Sequence, residues 1–223
     1  MNNYLKNLQG GNNKICNRFY QTVLSDIPNT VSILNLGCGS RFIFENELIK
    51  KGVRSIWSSD IVSTEKPDFV ENFFIQSVEE EFHLKKKFEI ITFFELIEHV
   101  DKTDILLKNC FNNLKENGLL IFSFPNLSSV YSRIELLLGY QPHILEVSNV
   151  MANFGTGYFG KINNPNGIPI HHIRGITTKA MIEMISYYGF KTEKVIGYDH
   201  RFRGVFYYIP SLAPINFFIC RKK

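Results

Sequence analysis

Residues 33–42, ILNLGCGSRF, constrain this chain more than any other stretch. An uncharged apolar run breaks at Gly37 and Gly39 and leads into the segment 42–51, where Phe44 and Leu48 share one helical face. A buried strand, a glycine bend and a helix in that order open an α/β sheet. The bend then lies at the carboxyl edge of the sheet, the usual ligand crevice of such folds. Glycine lets a ligand approach the backbone with no Cβ in the way, and the helix N-terminus offers free N–H groups to an anion.

The rest of the chain repeats this rhythm. Ile15, Phe19 and Val23 recur every fourth residue, which predicts a helix over Asn13–Asp26, closed by Pro28. Strands are predicted over 31–36, 53–60, 68–75, 88–94, 118–124, 190–198 and 215–221. Helices are predicted over 42–51, 101–116, 128–138 and 177–188, with Gly118 as a left-handed cap and Gly189 as a stop. The continuous apolar run FEIITFF, 88–94, is what a strand covered on both faces requires. Strands alternating with helices imply right-handed crossovers and a mostly parallel sheet flanked by helices. A single domain over 1–223 is expected, with 1–12 a loose arm and 126–175 a cap-like insertion after the fifth strand. Its aromatic, glycine-containing part, 139–175, is too long for a plain connector and is expected to shape a site. The apolar runs IELLLGY and SLAPINFF suggest a lipid-facing or dimer surface, but core packing is the simpler expectation for them.

Composition removes several classes of function. The 25 basic residues against 21 acidic ones give a net charge of +4, too mild for a dedicated nucleic-acid binder. Cys16, Cys38, Cys110 and Cys220 are scattered, with no CxxC pair, which points to a reducing compartment. The N-terminus lacks the apolar core of a signal peptide, and no stretch approaches the ~18 apolar residues of a membrane span. The expectation is a soluble cytoplasmic protein acting on a small molecule, with a homodimer compatible with the sequence.

A dinucleotide fingerprint needs a third glycine at position 42, where Phe42 stands, and no Gly-Lys-Ser/Thr follows to make a P-loop. Asp60, however, ends the next strand, where an acid can accept bonds from ribose hydroxyls. A glycine bend and an acid without a pyrophosphate site describe an adenosyl ligand that carries a carboxylate.

Here the sequence resembles the class I S-adenosylmethionine-dependent methyltransferases from about Val31 onward. ILNLGCGS resembles the first motif of that family and SSDI its ribose-binding strand end. FEIITFFELIEHV is similar to its fourth-strand motif with an E-x-x-E-H run, and LKENGLLIFSFPN to its fifth strand. HHIRGITTKAMIEMISYYGF resembles a subgroup that modifies small molecules, including sugars of surface polysaccharides. The resemblance implies a Rossmann-like sheet of seven strands with the last antiparallel, and S-adenosylmethionine as cofactor. It implies that Asn35, Gly37, Cys38 and Gly39 line the methionine and adenosyl part, and that Asp60 with Ile61 holds the ribose. Ser77 and Val78 would meet adenine, and Phe94, Glu95 and Leu96 would complete the pocket below the sulfonium. Asn35 stands where the family usually has an acid, and Arg41 where it has a small residue.

A sulfonium methyl is already activated, so the protein must align an acceptor and take its proton. The catalytic candidates are His99, His171 and His172, with His143 and His200 behind them. Arg174, Arg201 and Arg203 could bind an anionic acceptor, since guanidinium pairs with phosphate. Glu95, Glu98 and His99, completed by His171 or His172, could hold a divalent ion. The plainer roles, Glu95 beside the cofactor and Glu98 as a first-turn helix acid, are preferred, so no metal is expected to be required. The chain is thus expected to be an O-methyltransferase acting on a sugar or phosphorylated precursor of a surface glycan. The alternatives are a quinone or lipid-precursor methyltransferase and a catalytically silent binding subunit.

Overall fold

The structure is a computed structural model that describes residues 13–202 and 204–223, with side chains from Arg18 onward. The 1–12 arm and Arg203 lie outside the described residues. The elements run α1 (Asn13–Leu24), β1 (Ser32–Leu36), α2 (Ile43–Lys51), β2 (Ser55–Asp60), β3 (Asn72–Ile75) and β4 (Phe88–Phe94). A 3₁₀ turn (Ile97–His99) precedes α3 (Thr103–Asn113), β5 (Leu114–Pro125), α4 (Val130–Leu137), α5 (Tyr158–Asn163) and α6 (Thr178–Tyr187). β6 (Phe190–Tyr198), a 3₁₀ turn (Pro210–Leu212) and β7 (Ile215–Lys222) finish the chain.

The seven strands form one sheet in the order β3-β2-β1-β4-β5-β7-β6. β1 pairs in parallel with both β2 and β4, while β7 runs antiparallel between β5 and β6. Because the order reverses between β1 and β4, their carboxyl ends open a crevice at a topological switch point.

Period-two alternation feeds two cores. On one face, Leu34, Leu36, Ile91, Phe93, Leu120 and Phe122 pack with Leu106, Leu107 and Cys110 of α3 and Met181 and Ile185 of α6. On the other, Ile33, Ile56, Ile90, Ile121 and Phe217 pack with Phe19 and Val23 of α1 and Phe44 and Leu48 of α2. Each such fully buried side chain contributes about 1.5–3 kcal/mol of transfer free energy, so the sheet is held from both sides. None of the described helices is long and apolar enough to cross a membrane.

Three expectations about local structure are corrected. The helix predicted over 101–116 stops at Asn113, because Leu114 turns extended and pairs with Phe88. The left-handed position falls on Asn117, φ 60°, not on Gly118. Gly118 answers to crowding instead, since a Cβ there would stand 2.9 Å from the Lys115 carbonyl oxygen and 3.1 Å from that of Glu89. The run IELLLGY does not pack into the core: Glu135 is buried, while Leu136, Leu137 and Leu138 are exposed. SLAPINFF does enter it through Ala213, Ile215, Phe217 and Phe218.

Candidate functional site

The glycine bend and the Asp60 carboxylate meet. The Gly37 and Cys38 amides donate to the Ser59 carbonyl at 2.9 and 3.1 Å, which folds the bend over the end of β2. The Gly39 amide then donates to Asp60 Oδ2 at 2.9 Å, and the Val62 amide to Oδ1 at 3.1 Å. Both glycines need their freedom, with φ of 68° at Gly37 and 67° at Gly39. A Cβ at Gly37 would stand 3.1 Å from Leu96 Cδ1, whereas one at Gly39 would meet nothing within 4 Å. Bare backbone therefore faces open space beside a carboxylate, which fits an adenosyl ligand with its own carboxylate end. Phe42 enters α2 left-handed, φ 47°, and is buried edge-on against Phe73. Ile61 is exposed beside Asp60, and Ser77 and Val78 are half-buried on the loop after β3. That loop is tied down by Asn109 of α3, which donates to the Val78 carbonyl at 3.1 Å and that of Glu80 at 2.9 Å.

Asn35 does not face the crevice with free groups. Its amide donates to Glu45 Oε1 at 2.7 Å, and its oxygen accepts from the Thr92 hydroxyl at 2.8 Å. Ser58 also donates to Glu45 Oε1, at 2.7 Å. Glu45 of α2 thus places an acid beside Asn35, and burial pushes its carboxyl above the usual range. Burial, with Glu45 and Asp60 nearby, likewise raises the Cys38 thiol. Glu45 was legible only indirectly, as an acid on the face that carries Leu48 one turn later. Arg41 is exposed.

The other half of the site grows from the end of β4. Phe94 packs edge-on with Tyr20 and Phe44, 5.2 and 4.7 Å between ring centroids. Glu95 is held left-handed, φ 48°, an expensive conformation for a non-glycine residue and one that concentrates at functional sites. Ser123 holds it there, its carbonyl and hydroxyl accepting from the Glu95 amide and its hydroxyl donating to Oε1 at 2.8 Å. Burial pushes the Glu95 carboxyl up to about 7.

Glu98 is a first-turn acid, as expected, but of the short 3₁₀ turn before α3. It is buried in the 3₁₀ turn, and neither of its oxygens accepts a hydrogen bond from any described residue. Burial, then the Glu95 charge, raises its carboxyl well above the ordinary range. His99 and His172 bring their Nε2 atoms to 3.9 and 3.8 Å from Glu98 Oε1. One ligand atom from each of the three residues lies within 4.8 Å of the others. Each imidazole spends Nδ1 on a backbone carbonyl, His99 on that of His171 at 3.0 Å and His172 on that of Ile144 at 2.7 Å. Burial lowers both imidazoles, His172 to about 4, which favours the neutral form with Nε2 as the acceptor atom. The distant segment docks because the Ile173 and Arg174 amides donate to the Glu98 carbonyl, at 3.0 and 3.2 Å.

The adjacent histidines divide their work. His172 is buried and faces Glu98, whereas His171 is left-handed, φ 61°, with its side chain exposed. His171 contributes a carbonyl that orients His99, not an imidazole. Arg174 is likewise placed away from the cavity, donating to the Val100 carbonyl at 2.9 Å and to Asp101. It straps the 171–174 segment to the loop after the 3₁₀ turn.

A cavity of about 150 Å³ lies between the ends of β5 and β7 and the insertion. Glu95 and His172 line it together with Phe159, Ile144 and Ile215. His143 also lines it, its Nδ1 paired to the buried carboxylate of Glu135 at 2.9 Å. Tyr131 donates to Asp199 Oδ2 at 3.0 Å, and Arg201 donates to Asn163 at 3.2 Å across the rim. Glu135, Asp199 and Tyr131 carried no sequence motif, because their partners lie up to 68 residues away.

Comparisons with known proteins agree with this geometry. The family model described as "Methyltransferase domain" matches residues 4–195. No curated protein matches the chain. Among solved structures, an S-adenosylmethionine-dependent methyltransferase from Archaeoglobus fulgidus superposes with a TM-score of 0.65 at 15% identity, covering 98% of each chain. One from Mesorhizobium loti gives 0.60 at 15% identity, covering 91% of this chain and 96% of its own. A third, from Thermotoga maritima and described as a possible histamine N-methyltransferase, gives 0.60 at 12% identity, covering 99% and 94%. With the seven-stranded order, the bare bend beside Asp60 and a family match over most of its length, this chain belongs to the methyltransferase-domain family, enzymes that take their methyl group from S-adenosylmethionine.

Proposed function

We propose that this enzyme methylates a hydroxyl on a one-ring acceptor, a sugar of an activated surface-glycan precursor, with a divalent cation held by Glu98, His99 and His172. The observation that carries this is the cavity, which joins Glu95 and His172 on one wall and has room for one ring, about the 150 Å³ that admits benzene elsewhere. Bound at the bend, S-adenosylmethionine supplies a methyl already activated on sulfonium, so the protein's task is alignment and proton removal.

Burial divides the roles. A general base works best with a pKa near the working pH. Burial raises the Glu95 carboxyl toward that condition, whereas it lowers His172 away from it. His172 and His99 are suited instead to holding a metal, with neutral Nε2 atoms and each Nδ1 fixed by a backbone carbonyl. Glu98, buried with neither oxygen bonded by a described residue, is the carboxylate such an ion would neutralise. When bound, the cation would supply Lewis acidity that eases ionisation of the acceptor hydroxyl. Phe159 and Tyr131, 5.1 Å apart, offer ring faces for the acceptor, and Arg201 at the rim suits an anionic group beyond the ring.

A second reading, a phenolic quinone or lipid precursor, is favoured by the apolar walls of Pro125, Ile144, Phe159, Ile170, Pro214 and Ile215. Transfer of labelled methyl to UDP- and dTDP-hexoses, run beside dihydroxybenzoate with and without EDTA, separates the two. Labelled sugar, lost on chelation, is the expected result. Labelled phenol alone moves the assignment to the second reading, and unchanged turnover in EDTA removes the cation. Failure to bind S-adenosylhomocysteine in calorimetry would leave only a silent binding subunit.

A further inference from the structure

The insertion and the loop after β6 carry most of the exposed large apolar side chains among the described residues, and several adjoin residues that line the cavity. Tyr158, Ile162 and Phe202 are exposed, and each is the immediate neighbour of a residue that lines the cavity, Phe159, Asn163 and Arg201. The Arg201–Asn163 bond joins the two segments at the rim. The surface continues through Tyr140, whose ring packs against Gly157, to Leu137 at the end of α4, which is 85% exposed. Val150, also 85% exposed, and Met151 extend it, with Met151 lying over Gly167. Single exposed apolar residues are ordinary, but a continuous set around a site opening marks a docking surface.

Its charge says what docks. Between residues 126 and 175 and between 199 and 214 the chain has only three acids, Glu135, Glu146 and Asp199. Glu135 is buried against His143, and Asp199 is buried, accepting from Tyr131 and the amides of Arg201 and Phe202. Glu146 accepts from the Ile170 and His171 amides. Arg133, Lys161 and Arg201, by contrast, are exposed. The surface is thus apolar and cationic, with no exposed carboxylate among the described residues, and exposed tyrosines lie beside the aliphatic side chains. That combination complements an anionic bilayer, into which Leu and Tyr insert at headgroup depth while Arg and Lys meet lipid phosphates.

We propose that this face docks on an anionic membrane surface and turns the cavity mouth toward the headgroups, so that a ring carried on a membrane lipid can also reach the cavity. The placement of the mouth rests on the acceptor cavity assigned above; the docking does not. The test is co-sedimentation of the full chain with vesicles of phosphatidylcholine alone and of phosphatidylcholine with phosphatidylglycerol. Binding is expected to the anionic vesicles and to weaken with salt. Leu137→Glu and Val150→Glu should each lower the partition coefficient about tenfold or more, and Lys161→Glu about fivefold. All three positions are exposed, so S-adenosylhomocysteine binding should persist in every variant. Equal sedimentation with and without vesicles overturns the proposal. So does a wild-type dimer that Leu137→Glu converts to monomer without any vesicle binding, which would assign the face to a second copy. A chain that methylates its ring but ignores vesicles sinks the membrane surface and leaves the methyl-transfer chemistry standing.

Discussion

Restoring the family's strand acid should damage this protein. Asn35→Asp replaces the amide that donates to Glu45 Oε1 at 2.7 Å with a second carboxylate, inside a site where both residues are buried. With both groups ionised, repulsion at that separation is about 6 kcal/mol for an effective dielectric of ~20, so one carboxyl binds a proton instead. What remains is a buried carboxyl pair that shares one proton and carries one poorly compensated charge, about 2–4 kcal/mol of stability at neutral pH. Urea unfolding followed by circular dichroism measures it. Adding Glu45→Gln supplies an amide donor facing the new carboxylate, and Ser58 can reverse its hydroxyl to accept, so the double variant should recover more than half the loss. The sign with pH follows from burial, which raises the Glu45 carboxyl and penalises its ionised form. That penalty is absent below the unfolded carboxylate range near ~4 and grows as pH rises, so the Asn35→Asp deficit should shrink on acidification. An Asn35→Asp protein as stable as wild type at pH 7, or a double variant weaker than the single one, would refute this account of the α2 acid.

Three further outcomes are expected. Asp60→Ala, which removes the carboxylate bonded to the Gly39 and Val62 amides, should weaken S-adenosylhomocysteine binding about ten- to a hundredfold in calorimetry with the fold intact. His172→Ala should lower Mn²⁺ affinity at least about tenfold by titration calorimetry, while His171→Ala, whose imidazole is exposed, should leave it within about threefold; equal losses would place the ligand wrongly. Because burial depresses His172 from 6.5 to about 4, the metal-free fold should lose up to about 3 kcal/mol as pH falls from 6.5 through 4, and His172→Gln should flatten that slope in acid denaturation.

Local patterns carried the strands with least ambiguity. FEIITFF matches β4 residue for residue, and the antiparallel last strand falls where the resemblance put it. The third strand is shorter than 68–75, beginning at Asn72, because Val70 closes a turn onto the Pro67 carbonyl. Helix ends were less legible where pairing competed. Leu114 continues the apolar stripe of α3, yet it joins the sheet beside Phe88. Likewise Leu136–Leu138 match a core in composition but point outward, since only Glu135 of that turn faces inward, toward His143.

What the chain alone determined is the bend at Gly37–Gly39 and its acid at Asp60, because backbone freedom and strand-end position are properties of short segments. What only the folded molecule decided is the pairing of distant groups: which of His171 and His172 faces Glu98, why Arg174 serves as a strap, and how Asn35 comes to bond Glu45. His99 and His172 are more than seventy residues apart, and their rings lie 4.8 Å from each other only because the Glu98 carbonyl anchors the returning loop. A side chain's burial and partner set its protonation and its role, and neither is present until that loop closes.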